Sequence, residues 1–130
     1  MDARLRSIVA DLRGRSSAEA ADWIMREYPV TQDRWGEAIT IIPHLSWKRS
    51  DQIRLAECYL SRVPLGSARA YQAFAKCMSV PLLLSVLRKY PPVAARKSLY
   101  DYHVAPVLRA AAKTAGDRAS VEHFLASPFE

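Results

Sequence analysis

Tyr100, Asp101, Tyr102 and His103 form the one cluster in this 130-residue chain whose residue types could move protons. A carboxylate and an imidazole within hydrogen-bond reach of each other make an acid–base pair, and a phenol adds a further donor. The local spacing does not supply that reach. On a helix, side chains three or four positions apart are neighbours, whereas Asp101 and His103 are two apart and point to different sides. Capping or satisfying a core is the role expected of them. A helical hydrolase or lyase built on Asp101 and His103 is the residual enzymatic reading, and only tertiary neighbours could complete it.

The other reactive side chains exclude more than they suggest. His44, His103 and His123 have no histidine four positions away, no cysteine at ligand spacing and no H-E-x-x-H pattern, so no metal is expected. Four glycines in total leave little material for a phosphate-cradling loop, and no G-x-G-x-x-G or G-x-S-x-G occurs. Cys58 and Cys77 fall in apolar helical patterns where free cysteine behaves as a small buried hydrophobe, and no disulfide is expected. No catalytic residue and no cofactor is assigned. The chain reads as a non-enzyme.

Charge is the stronger signal. From Cys58 to Tyr100 there is no aspartate or glutamate, yet Arg62, Arg69, Lys76, Arg88, Lys89, Arg96 and Lys97 give that stretch +7. The whole chain is only +6, so the other 87 residues carry −1 and the basic character is local. Fourteen of the nineteen cations are arginine, whose planar fork suits carboxylates and phosphates. Arg69, Lys76, Arg88, Lys89, Arg96 and Lys97 are the expected partner-binding residues. Trp47, Lys48 and Arg49 join them, because Trp47 precedes two cations in a connection between helices and is the aromatic least expected to be buried. An acidic protein surface is the expected partner, with complementary charge fixing partner choice. The alternative is sequence-nonspecific nucleic-acid binding through the same cations. Tyrosines beside the basic stretch could stack on bases, but their spacing with aliphatic residues points to core.

One segment inside the acid-free stretch, AFAKCMSVPLLLSVLRKY at 73–90, resembles a helix-turn-helix, with Ala75 at the small position and Ser79 in the tight turn. The resemblance implies a DNA-reading second helix. A recognition helix exposes polar side chains to base edges, whereas Leu82, Leu83, Val86 and Leu87 occupy those positions. A core helix is expected instead.

The elements that carry these residues are all helical, because apolar residues recur at i, i+3, i+4 and i+7 along the chain. Leu5, Ile8, Val9 and Leu12 form a first stripe ended by Gly14. Ser16 with Glu19 makes a capping-box signature for a second helix holding Ala21, Ile24, Met25 and Tyr28. Thr31 or Asp33 is expected to cap a third, with Trp35, Ala38, Ile39 and Ile42 inward. Ser50 is expected to cap a fourth, with Ile53, Ala56, Leu60 and Val63 on one face, widened by Leu55 and Tyr59 and ended by Pro64 and Gly66. A fifth from Ser67 turns Tyr71, Phe74, Ala75 and Met78 inward and leaves Arg69 and Lys76 outside. The sixth, from about Val80 to Tyr90, is apolar enough to be central. Pro91 and Pro92 open a seventh, with a bend at Pro106 and an end near Gly116; Asp117 then caps a short eighth.

These signals predict an all-α chain of seven or eight helices folding as a single compact domain over residues 1–130. Prolines follow arginine at the helix ends in MREYPV (25–30), LSRVPL (60–65) and LRKYPPV (87–93). A second proline recurs in IIPHL, SVPLLL and VAPVL. The pattern predicts either three irregular HEAT-like helix pairs or an irregular bundle. No apolar run approaches the ~20 residues of a membrane span, and the N-terminus lacks a secretory apolar region, so a soluble, cytoplasmic protein is expected.

Overall fold

Hydroxyl and carboxylate side chains start most of the helices, each by accepting one of the backbone N–H groups that a first turn leaves without a partner. The computed structural model describes residues 1–62 and 67–126. Helix α1 (Ala3–Arg13) begins where Asp2 accepts from the Leu5 N–H at 2.9 Å. Helix α2 (Ser17–Glu27) begins at Ser16, whose Oγ accepts from the Glu19 N–H at 3.1 Å. The expected third cap is absent: α3 (Trp35–Ile41) starts after Arg34 with no side-chain cap from Thr31 or Asp33. Pro43 does not end the helical path. It sits in a 3₁₀ turn, Ile42–His44, that prolongs α3.

Helix α4 (Arg49–Leu60) takes its cap from another helix. Ser50 lies inside its first turn, and the Lys48 N–H donates instead to Ser17 Oγ of α2 at 3.0 Å. The same hydroxyl donates to Asp51 Oδ2 at 2.7 Å. Asp51, only 3 % exposed, also accepts from Arg54 at 2.8 Å, and Arg54 reaches Asp22 on α2. The Ser17 hydroxyl of α2 thereby bridges the Lys48 N–H and the Asp51 carboxylate at the start of α4.

The later helices follow the apolar pattern, with shifts at their ends. Helix α5 (Arg69–Cys77) buries Ala70, Tyr71, Ala73 and Phe74 and leaves Arg69 and Lys76 exposed. In α4 the fully buried face is Leu55, Ala56, Tyr59 and Leu60, with Ile53 only half-buried; Val63, Pro64 and Gly66, expected to close that helix, lie outside the described residues. Helix α6 (Val80–Leu87), capped by Ser79 at 3.3 Å, buries Val80, Leu82, Leu83, Leu84, Val86 and Leu87. This is the central helix that its composition predicts, and it has no face left for reading a DNA groove. A 3₁₀ turn, Ala94–Arg96, separates Pro91 and Pro92 from α7 (Lys97–Ala111). Helix α8 (Ala115–Ala126) is longer than expected, because Thr114 and not Asp117 caps it, accepting from the Asp117 N–H at 3.0 Å. Gly116 belongs to its first turn.

Each helix packs against the helix two positions further on: α1 on α3, α3 on α5 and α5 on α7, and likewise α2 on α4, α4 on α6 and α6 on α8. The result is an irregular all-helical bundle in two rows, with one hydrophobic core running from Leu5 to Phe124. Among the described residues the rows contain four helix pairs, not the three that the prolines suggest. Odd-numbered helices begin at Ala3, Trp35, Arg69 and Lys97, and even-numbered ones at Ser17, Arg49, Val80 and Ala115. The mean step is near 32 residues, short of the 40–47 of a HEAT-type unit, and the HEAT-like expectation is not confirmed. The regular marker is tyrosine. Tyr28, Tyr59 and Tyr90 recur at intervals of 31 and 31 at the ends of α2, α4 and α6, and Tyr59 donates to the Tyr28 carbonyl at 2.7 Å.

Candidate functional site

The nine residues expected to bind a partner divide between the rows. Arg69 and Lys76 lie on the outer side of α5, in the odd row, with Arg96 and Lys97 at the entrance to α7. Lys48 and Arg49 start α4, and Arg88 and Lys89 follow the last turn of α6, all in the even row. Cations at a helix C-terminus complement its dipole, which accounts for Arg88 and Lys89 in part.

Trp47 corrects the expectation. It is 9 % exposed and belongs to the core, and its indole N–H donates to the Ile42 carbonyl at 3.0 Å. A buried tryptophan needs a partner for that one polar atom, and the 3₁₀ turn before it supplies the carbonyl. Trp47 is therefore unavailable as a stacking surface. Lys48 and Arg49 beside it remain exposed.

The acid-free stretch is partly answered by the two acids that border it. Glu57 precedes it by one residue and accepts from Lys89 at 3.2 Å and from the Tyr90 hydroxyl at 3.2 Å. Asp101 follows it by one residue and pairs with Lys97 at 2.7 Å. The other five cations have no carboxylate partner among the described residues. Arg62 donates to the Val30 carbonyl, Arg69 donates to Thr40 Oγ1, and Arg88 lies 5.6 Å over the Phe124 ring. Lys76 and Arg96 are exposed.

Asp101 and His103, expected on different sides of their helix, both border one groove, and Asp101 Oδ1 is buried there without a hydrogen-bond partner among the described residues. Asp101 Oδ2 is committed to Lys97, and His103 meets the Tyr102 ring edge-on at 5.2 Å between centroids. Tyr100 is fully buried against Tyr71, and that burial pushes its phenol well above the ordinary range. The cluster opens onto a groove of about 680 Å³ between α5 and α7. Lys76 and Gln72 line one wall; Asp101, Tyr102, His103 and Arg109 line the other. Arg109 forks onto Glu122 of α8 through two bonds of 3.0 Å, which holds the Glu122 carboxyl below its usual range.

Sequence reasoning missed this groove, because its floor is made of alanines whose only signal is small size. Periodicity does place Gln72 between Arg69 and Lys76 on one face of α5, and that was the available clue. Among the described residues no group of three or more histidine, cysteine, aspartate or glutamate side chains could hold a metal. Cys58 and Cys77 are free, and burial pushes the Cys77 thiol up to about 11. No described helix is long and apolar enough to cross a membrane. Comparison of the chain with protein-family models, curated proteins and solved structures finds no match.

Proposed function

We propose that this chain is a non-enzymatic macromolecular binding protein, of the adaptor, inhibitor or immunity and anti-defence type, that docks through its cations onto an acidic protein surface. One observation carries the reading. Five of the seven cations in the acid-free stretch have no carboxylate partner among the described residues, while the two acids at its borders are already engaged. Uncompensated charge steers encounter with a surface of opposite sign.

A protein partner is favoured over nucleic acid by the aromatic residues. Trp47, Tyr59, Tyr71 and Tyr100 are buried and cannot stack on unpaired bases, which leaves Tyr102 as the exposed tyrosine beside the basic stretch, and the cations are shared between two rows. Under this reading Asp101 and His103 serve the surface of α7 and no reaction.

The test is affinity capture from the native host after nuclease treatment, comparing the natural chain with the triple variant Arg69→Glu, Lys76→Glu, Arg96→Glu. These three exposed side chains make no ion pair among the described residues, so folding should be spared. A stoichiometric protein complex should form with the natural chain and weaken at least tenfold in the variant. A complex that ignores the reversal, or that disappears with nuclease, would overturn the proposal.

A further inference from the structure

We infer that the groove between α5 and α7 seats a short, acidic, amphipathic helix of the partner protein. This rests on the docking function proposed above and names where and with what that docking occurs.

Shape comes first. Ala68, Ala75, Ala105, Ala110 and Ala111, with Pro106, give the groove a low apolar surface between two helices of the same row. Small side chains there let the ridge of a third helix approach closely, as helices pack ridge into groove. The α7 wall runs from Asp101 to Ala111, about 15 Å at the helical rise, which matches a segment of roughly three turns. Helix-in-groove recognition by an amphipathic segment needs this combination of apolar floor and polar walls.

Charge then selects the occupant. The carboxylate on the α7 wall, Asp101, is held by Lys97 at 2.7 Å, and Arg109 is neutralised by Glu122. Lys76 on the α5 wall has no carboxylate partner among the described residues; Arg69, two turns before it, turns toward α3 instead, where it donates to Thr40 Oγ1 at 3.0 Å. The unmatched charge along the groove is therefore positive. A helix lying parallel to α5, with Asp or Glu on the flank that faces it, would meet Lys76.

An anchor completes the site. Three of the four large hydrophobic residues exposed among the described residues lie at this end of the odd row: Val93 at 66 %, Leu99 at 40 % and Tyr102 at 74 %. Tyr102 stands on the lip of the groove itself. Exposed tyrosine beside an apolar floor is the composition that dominates binding energy at interfaces. Pro106, one turn later, brings no N–H to the Tyr102 carbonyl, which leaves an acceptor at the same place for a donor from the occupant.

A displayed library of 14-residue helical peptides, randomised in charge and apolar positions, tests this directly. Selection on the natural chain, with counter-selection on Ala110→Trp, should enrich peptides with apolar residues at i, i+3 and i+4 and carboxylates on one flank. The best synthetic peptide, followed by fluorescence anisotropy, should lose at least tenfold in affinity to Ala110→Trp and to Lys76→Glu. Circular dichroism and unfolding confirm that both variants fold; Lys76→Glu, at an exposed site, serves if the tryptophan does not. Enrichment of basic peptides, equal binding to both variants, no enrichment, or displacement of the peptide by a single-stranded oligonucleotide would each overturn the groove assignment. A native complex that survives Ala110→Trp but is lost in the triple charge reversal would remove the groove and leave the docking function standing.

Discussion

Glu37 ties α1 to α3 through its ionised carboxylate. It accepts from Arg4 on α1 and from Arg34 at 3.1 Å, and the Arg4 bond lowers its carboxyl to about 2 from an ordinary 4.5. A carboxyl depressed in the folded state stabilises the fold above its unfolded value and loses that contribution as pH falls through the folded one. Stability should therefore decline between about pH 4.5 and about pH 2 partly because of this residue. In acid titrations of urea unfolding, Glu37→Gln should be less stable than the natural chain at neutral pH. The difference should be small for so solvent-screened a pair and should vanish as pH approaches 2. Equal acid slopes in the two proteins would contradict this. At this scale the sequence was a partial guide. Buried Tyr59 and Tyr100 follow from helical spacing, but Trp47 does not: the Ile42 carbonyl that takes its N–H is presented only because Pro43 prolongs α3 as a 3₁₀ turn.

At the scale of the element, caps explain both the success and the failure of sequence reading. Ser16 caps its own helix, so its signature is local and legible; Ser79, placed in a tight turn by the sequence, also caps the helix that follows it. The cap of α4 is not local, because Ser17 reaches Lys48 and Asp51 across 31 and 34 residues. No window along the chain could contain it. Ser17→Ala should therefore destabilise two elements at once, leaving the Lys48 N–H and one buried oxygen of Asp51 without their partner. A loss of about 1–2 kcal/mol in denaturant unfolding is expected, the cost of a lost cap and an unmade bond to a buried carboxylate. Ser50→Ala, at the position that spacing favours, should cost much less. The reverse ordering would show that α4 is capped within its own sequence. The helix-turn-helix likeness at 73–90 fails at this scale too, since the apolar residues that make α6 central consume the face a recognition helix would expose.

For the whole molecule, the all-helical class was legible because periodicity recurs in every segment. The number of units was not. Prolines marked three ends at uneven steps, and one of them, Pro64, lies outside the described residues. The tyrosines mark the true register, because Tyr59 and Tyr90 each return to the unit before: Tyr59 to the Tyr28 carbonyl, Tyr90 to Glu57. The charge was legible in amount but not in placement. Composition shows +7 on one stretch; only packing shows that its border acids fold back onto Lys89 and Lys97 and leave the odd row with the larger share of unmatched cations.

The two-row packing also bears on how fast the chain can find its structure. Eleven of the side-chain bonds that tie one unit to the next among the described residues span 29–35 residues. No substantial helix contact reaches beyond the adjacent unit. The entropy of closing a loop grows with its length, by about 0.6 kcal/mol per doubling, so a search confined to near 32 residues avoids roughly 1 kcal/mol at each closure relative to end-to-end contacts. Low contact order of this kind accompanies folding in microseconds to milliseconds. Stopped-flow refolding of the natural chain should finish its main phase within milliseconds, and a rate of seconds without proline isomerisation would mean that some long-distance closure governs it. Length added in further units would then lengthen the molecule without lengthening the search.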